Sequence, residues 1–362
     1  MSKSKKGMSA NAKWGIAFLI EVIMIVLLVV AYVSIYVGDK LEKVQILDIK
    51  KEDLAINEGA NEAQKGYTTI ALFGIDARST TSMAEGNRSD SIIIASINND
   101  TKEVKLVSVY RDTLLELADG SGLTTKITHA YAYGGPELAI KTLNANLDLE
   151  ITDFVTVNFL ALTQAIDDLG GLVIDVHDNE LPILNLAITE QIEVTGIPSD
   201  GVFTSGEQLL NGTQATAYAR IRSTDQGDIT RTERQRDVLA KMIAKAKKSD
   251  LQTINNIIDH VFPNVYTSIS KKELLDLAKN LVNYELGDTI GFPMTPVVTS
   301  SPNKGSIIAP ADLITNVSAL HEFLFGTENY TPTSGVQRIS GVITSETGVG
   351  AQQVDIKPYV AQ

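Results

Sequence analysis

The hydrophobic pattern divides the chain into three regimes. Residues 16–37 are almost continuously apolar, and as a helix this run of 22 would rise about 33 Å, enough for a hydrocarbon core of about 30 Å. Trp14, Tyr32 and Tyr36 stand near its ends, where aromatic belts form. Residues 38–66 are charged, with apolar positions at loose helical spacing, and read as a stalk. From Tyr67 the period changes, and the β-rich apolar runs 68–73, 91–97 and 104–109 predict strands of a buried sheet.

Further along, the spacing predicts a helix over 136–147 opened by Gly134-Gly135, a strand at 153–157, and a helix over 159–169 closed by Gly170-Gly171. A strand follows at 172–176, and then Pro182, Pro198 and several Gly mark 179–205 as an irregular excursion. Helices are predicted over 206–218, 229–247, 251–260, 271–283 and 310–325, with a strand at 288–292. The Thr-, Ser- and Gly-rich tail 326–362 predicts little fixed structure, least of all after about residue 340. Alternating strands and helices give an α/β layered domain, helices covering both faces of one sheet. In such a sheet ligands bind beyond the strand ends. No linker precedes 250–340, so that segment is expected to complete the same domain.

Charge orients the apolar run. Lys3, Lys5, Lys6 and Lys13 precede it and acids follow it, which places the N-terminus in the cytoplasm and residues 38–362 outside. A cleaved signal peptide would have a shorter apolar core, about 7–15 residues, and a small-x-small site after it. Glu21 reads as a carboxyl near the interface. Residues 1–37 carry +3 of a total of −13, so the exported 325 residues carry −16. That excludes a nucleic-acid binder, which needs a basic face. The absence of Cys excludes disulfides, thiolate zinc sites and Cys nucleophiles, and suits export from a Gram-positive bacterium.

The use of Arg changes the picture more. The chain has 31 basic residues but only 9 Arg, and eight of these fall at 78, 88, 111 and 220–236. Asp76 and Arg78 follow the first predicted strand, Arg88 and Asp90 precede the second, and Arg111 and Asp112 follow the third. A single Arg–Asp pair is more often a structural ion pair; three at strand ends point to a site. Asp76 and Asp90 suit a hard divalent ion, which takes one or two carboxylates and borrows phosphate oxygens. The Arg forks suit the phosphates themselves. In the fourth stretch Arg220 and Arg222 alternate, while Arg231 and Arg234 share a helix face with Gln235 one position round. The bland alternative is an ion-pair network with Asp225, Asp228, Glu233 and Asp237, and it fits Arg236 best. The four His are scattered, and His129 in HAYAYGG reads as pocket lining or helix-start packing.

These segments resemble the LytR-CpsA-Psr family of membrane-anchored cell-wall enzymes: LFGIDAR (72–78), NRSDSIII (87–94), VKLVSVYRDT (104–113), KITHAYAYGG (126–135), DDLGGLVIDV (167–176), GEQLLNGTQATAYARIR (206–222) and DITRTERQRDVL (228–239). Tyr110 stands where the family more often has Pro. The resemblance implies an α/β fold with a mixed central sheet, helices on both faces and one transmembrane helix before it. It implies a cytoplasmic tail at 1–15, an anchor at 16–37, a stalk at 38–66 and an extracellular catalytic domain at 67–325 with its motif core at 68–245. The implied activity is transfer of a glycopolymer (teichoic acid, capsular or rhamnose-type polysaccharide) from a polyprenyl-pyrophosphate carrier to peptidoglycan, forming a phosphodiester. Carried over by motif, Asp76 and Asp90 would hold Mg2+ or Mn2+. Arg78, Arg88, Arg111, Arg220 and Arg222 would bind the pyrophosphate, with Arg231, Arg234 and Gln235 at the edge. Arg111, Arg220 and Arg222 would also stabilise developing charge, and Asp112 or Asp225 would take the acceptor proton. The prenyl chain would occupy an apolar groove walled in part by 159–169. The expected partners are the lipid-linked glycan, peptidoglycan and membrane lipid, with no nucleic acid. Alternatives are a lipid-pyrophosphate hydrolase, a transcriptional attenuator and a passive wall-binding scaffold.

Overall fold

A computed structural model describes residues 42–75, 86–221, 227–279, 283–301, 303–352 and 354. The predicted anchor 16–37 and tail 1–15 lie outside the described residues, as do Asp76, Arg78, Arg222 and Asp225. Among the described residues no helix is long and apolar enough to cross a membrane. The chain divides into units 1–43 and 44–362, and the elements named here all belong to the second.

In chain order, β1 (Gln45–Ile46), β2 (Tyr67–Ile75), β3 (Ser89–Asn98), β4 (Glu103–Val109), the short pair β5 (Leu114–Glu116) and β6 (Thr124–Lys126), and helix α1 (Ile127–Leu147) come first. Then follow β7 (Ile151–Asn158), α2 (Phe159–Asp168), β8 (Leu172–Val176), α3 (Leu181–Thr195), β9 (Gly206–Leu210) and α4 (Gly212–Tyr218). After these come α5 (Asp228–Ala246), α6 (Leu251–Val261), β10 (Val265–Thr267), α7 (Lys271–Lys279) and β11 (Glu285–Phe292). A hairpin of β12 (Pro296–Ser301) and β13 (Gly305–Pro310) leads to α8 (Leu313–Phe325) and α9 (Ser334–Thr347).

Seven strands form one mixed sheet in the order β1-β10-β7-β2-β3-β4-β11. β2 is parallel to β7 and antiparallel to β3, and β4 is antiparallel to β3 and parallel to β11. β2, β4, β7 and β11 therefore all end at one edge, where β3 begins. The strand period sorts the side chains. Ala71, Phe73, Ile75, Ile92, Ile94, Val107 and Val109 join one core with Tyr131 and Ile140 of α1, Leu320 of α8 and Ile339 of α9. Ile70 and Leu72 on the opposite face, with Ile93 and Leu106, meet Leu274 of α7 and Leu239 of α5. Helices thus cover both faces.

Four expectations change. The stalk is part of the domain from Val44 onward: β1 pairs with β10, Ile49 and Leu54 enter the main core, and buried Gln64 donates to the Asp148 carbonyl at 3.1 Å. Its apolar residues are anchors of an irregular strap, not a helical stripe. The excursion 179–205 holds the 15-residue helix α3, because Pro182 sits in its first turn, where no donor is lost, and Gly196 closes it in the left-handed region. Residues 206–218 split into a strand and a helix at Asn211, whose side chain caps α4 in a capping box with Gln214. The tail 326–362 contains α9, whose Val336, Ile339 and Ile343 form a buried stripe at helical spacing hidden in Ser/Thr/Gly-rich sequence. The buried Asp148 carboxylate holds this segment, accepting from Thr333 N at 2.7 Å, Thr333 Oγ1 at 2.7 Å and Tyr330 Oη at 3.2 Å.

His321 in α8 lies beside that anchor. It is fully buried, its ring stacks on Tyr330 at 3.7 Å, and its Nε2 donates to the Leu147 carbonyl at 3.1 Å. Burial pushes its pKa down to about 4. The unfolded chain, at about 6.5, binds the proton more readily, so stability is whole above about pH 6.5 and falls as the pH approaches 4. Wild-type protein should lose about 2–3 kcal/mol more than His321→Gln between pH 7 and 4.5. Urea unfolding of both proteins at the two pH values checks this, and equal losses would show that His321 is not the group.

Candidate active site

The site begins in a register shift. Gly74 pairs with Ser91 and Ile75 with Ser89, which leaves Asp90 as the extra residue of a β-bulge at the start of β3. A bulge bends the strand and re-aims a side chain. The Asp90 carboxylate receives an ion pair from Arg111 Nη1, contributed by the loop after β4. Arg111 Nε lies 3.4 Å from Asp112 Oδ1, and Lys126 Nζ lies 3.5 Å from the same oxygen. Arg111 therefore joins two motifs that the sequence kept apart, whereas adjacency suggested that Arg88 would pair with Asp90. Arg88 is exposed.

The start of α1 is stitched to both loops. Ile127 N donates to the Thr113 carbonyl at 2.9 Å, Thr128 N to the Arg111 carbonyl at 3.1 Å, and Thr128 Oγ1 to the Ser89 carbonyl at 2.9 Å. One residue on, His129 Nδ1 is 2.8 Å from Thr125 Oγ1. Burial, then the charges of Arg88 and Lys126, hold its imidazole below the usual range, so it is neutral at neutral pH. The sequence placed no His against the charged loops; His129 lies within electrostatic reach of Arg88, Arg111 and Asp112, and its only signal was its place in HAYAYGG.

Beside this edge lies an apolar cavity of about 300 Å³. Phe159, Ala161, Leu162 and Ala165 of α2 form one wall, Val238, Leu239 and Met242 of α5 another, and Leu72, Gly74 and Ile93 the sheet side. Arg220 and Gln235 are among its few polar lining residues. Arg220 is fixed there: its guanidinium lies 4.4 Å from the Phe159 ring centroid, and Nη1 donates to Gln191 Oε1 at 2.7 Å. Buried Gln191 in turn donates to Thr163 Oγ1 at 3.1 Å, which is bonded to Thr216 Oγ1 at 3.1 Å. Gln191 is the positioning residue that sequence reasoning missed, because the helix that carries it was not expected.

Arg231 and Arg234 are placed in the interior, not open at the edge as their spacing suggests. Arg231 is 1% exposed and pairs with Asp228. Arg234 is 6% exposed and gives Nε and Nη2 to Glu180 Oε1 at 2.9 and 2.6 Å, and Nη1 to the Ile221 carbonyl at 3.3 Å. Arg236 is also buried. α5 carries all three into the domain, where Asp228 and Glu180 meet the first two. Tyr110 packs against Ile229 of α5 and Ile308 of β13. Burial raises its pKa to about 12. A Cβ at residue 291 would collide with its hydroxyl, so Gly291 makes room for a bulky residue before Arg111.

Asp90 is the described half of the predicted metal pair, and no group of three or more His, Cys, Asp or Glu that could hold a metal occurs among the described residues. A half-buried carboxylate re-aimed by a bulge fits an ion that takes one or two protein oxygens and fills its shell with water and phosphate.

The model of the LytR_cpsA_psr family matches residues 30–305. The polyisoprenyl-teichoic acid–peptidoglycan teichoic acid transferase TagU of Bacillus cereus (strain AH820) is 31% identical over 235 residues, 64% of this chain and 70% of its own length. Among solved structures, B. subtilis TagV is 29% identical with a TM-score of 0.56, over 74% of this chain and 99% of that one. YwtF (TagT), also of B. subtilis and solved with bound octaprenyl pyrophosphate lipid, is similar in fold, with 22% identity and a TM-score of 0.50 over 84% of this chain and 100% of that one.

Proposed function

The chain belongs to the LytR-CpsA-Psr family, and from that membership we propose that it is a phosphotransferase that moves a glycopolymer from a polyprenyl-pyrophosphate carrier onto peptidoglycan. The observation that carries the reading is the pairing of an apolar cavity with the guanidinium of Arg220 at its lining, beside the strand edge that holds Arg111, Asp90 and Asp112. A lipid diphosphate has that division: a hydrocarbon leg and a dianionic head. TagU carries this transfer in its name, and YwtF (TagT) was solved with a lipid of this class.

In this reading the prenyl chain lies between α2 and α5. Arg220, Arg88 and Arg111, with Arg78 and Arg222 outside the described residues, take the pyrophosphate. The acceptor oxygen forms a bond to the sugar-linked phosphorus as the bond to the bridging oxygen breaks, and polyprenyl phosphate leaves. Charge grows on that bridging oxygen and must be met by cations already in place. Asp90 and Asp76 would hold magnesium, which supplies neutralisation of the pyrophosphate. Asp112 or Asp225 takes the acceptor proton. Anchoring by 16–37 would keep the domain outside the cell, within reach of a lipid carrier; the choice of polymer belongs to the same proposal and starts from teichoic acid, the substrate in TagU's name.

The test is a labelled lipid-linked saccharide incubated with the full chain and peptidoglycan fragments. Transfer yields a glycan-bound phosphodiester, and Arg220→Ala should lower its rate about a hundredfold, the usual effect of one lost charge-stabilising donor. Free sugar phosphate as the only product, with acceptor present, would overturn transfer in favour of hydrolysis.

A further inference from the structure

A second cavity, of about 590 Å³, opens at the N-terminal end of α5. Asp112, Gly227, Asp228 and Ile229 line it together with one face of the β12–β13 hairpin, and the charged members of that described lining are both acids. We infer that this cavity is the acceptor subsite: it receives a sugar unit of a hydroxyl-rich glycan, and presents a hydroxyl to Asp112. The inference rests on the transfer reading and names its second substrate's place.

Three observations carry it. The first is position. The two cavities are served by opposite parts of one helix, Gly227–Ile229 for this one and Gln235, Val238, Leu239 and Met242 for the apolar one. Ten residues of helix separate Asp228 from Val238, about 15 Å along the axis. The apolar cavity draws on β7, β2 and β3, while the second one takes Asp112 from the loop after β4. The Arg111–Asp90 pair bridges β3 and the loop after β4. Two separate openings would let acceptor and lipid reach the phosphorus from different sides, as in-line displacement requires.

The second is chemistry. Asp112 Oδ1 is buried and has no hydrogen-bond partner among the described residues, with only Arg111 Nε and Lys126 Nζ at 3.4 and 3.5 Å. Carboxylates accept from hydroxyls, so the lining suits a hydroxyl-rich sugar. Val298 and Pro296 offer apolar surface to the C–H face of a ring.

The third is the hairpin's attachment. Ile308 N donates to the Asp112 carbonyl at 2.9 Å, and Thr113 pairs with Ile308 in a parallel bridge. Cross-strand partners Val298 and Ile308 share the cavity face, while Ile307 on the other face enters the main core. The hairpin is therefore held in register with the loop that carries Asp112. A segment beyond the motif core completes the wall of the site.

The experiment uses the full chain in detergent micelles. Val298→Trp and Ser306→Trp each fill the cavity from an exposed hairpin position. Each should raise the acceptor KM at least tenfold with the donor KM unchanged. Each should also weaken direct binding of a peptide-free peptidoglycan glycan oligomer by a similar factor. An acceptor KM within twofold of wild type in both variants, or a donor KM that rises equally, overturns the subsite. If wild type releases only sugar phosphate, the transfer reading fails, and oligomer binding decides the cavity alone. Binding lost in the Trp variants then supports it, and no binding by wild type, or binding unaffected by Trp, overturns it. Should Val298→Trp unfold, Ser306→Trp carries the comparison.

Discussion

Replacing Arg111 with Ala is expected to lower kcat for polymer transfer about a thousandfold in a protein that remains folded. Loss of one preorganised charge-stabilising group costs about 10²–10³ in rate, and Arg111 has a second task. It holds Asp90 through Nη1 and lies 3.4 Å from Asp112 through Nε. Its removal takes one cation from each of two carboxylates that lie at the pyrophosphate site. The side chains of Arg111 and Asp90 are 13% and 17% exposed, so water reaches the vacated carboxylate and the fold survives. Arg111→Lys keeps the charge but not the fork, and should recover only part of the loss. Steady-state kinetics with the lipid-linked donor, beside a thermal melt, gives the answer. Transfer within threefold of wild type by a folded Arg111→Ala protein would remove Arg111 from the machinery.

That prediction starts from a pairing only the register could supply. The strands bearing the motifs were legible because each is a short β-rich apolar run with an Arg and an Asp close to one end. Their arrival at one edge follows from β2, β4 and β7 running the same way. Asp90 shows where legibility ended: its direction depends on a bulge between β2 and β3, and a bulge is a property of two strands, not of RSD. By its own residues the helix at 159–169 reads as ordinary core, and the apolar cavity was expected from the family resemblance, which put that helix in its wall. Gln191 was not, because Pro182 and Gly196 look like breakers when the helix they bound is not yet known, although Pro at the start and Gly past the end are also its ordinary caps. The hairpin at 296–310 was hidden in the same way: its strands begin and end at Pro296 and Pro310, and its two faces serve the core and a cavity.

Glu180 is where a similar oversight has the largest consequence for stability. Glu180→Ala is expected to destabilise the protein by about 3–5 kcal/mol, the usual cost of removing one partner from a buried ion pair. Glu180 is 3% exposed; its Oε1 takes both Arg234 bonds, and its Oε2 accepts from His177 N at 2.9 Å. Arg234 also has the Tyr218 ring at 5.6 Å and the Ile221 carbonyl as neighbours. The pair thus ties the start of α3 to α5 and to the chain leaving α4, the stretch that carries Arg220. Urea unfolding should show a lower midpoint at an unchanged slope. The double substitution Glu180→Leu with Arg234→Met fills the same space without charge, and should regain most of the stability, since desolvation offsets much of a buried pair's attraction. Because Glu180 and Ile221 already engage the Arg234 guanidinium, that stable double variant should bind the lipid diphosphate with a KM within threefold of wild type. A tenfold rise in donor KM in a fully stable double variant would instead put Arg234 in contact with the pyrophosphate, as its spacing from Arg231 first suggested.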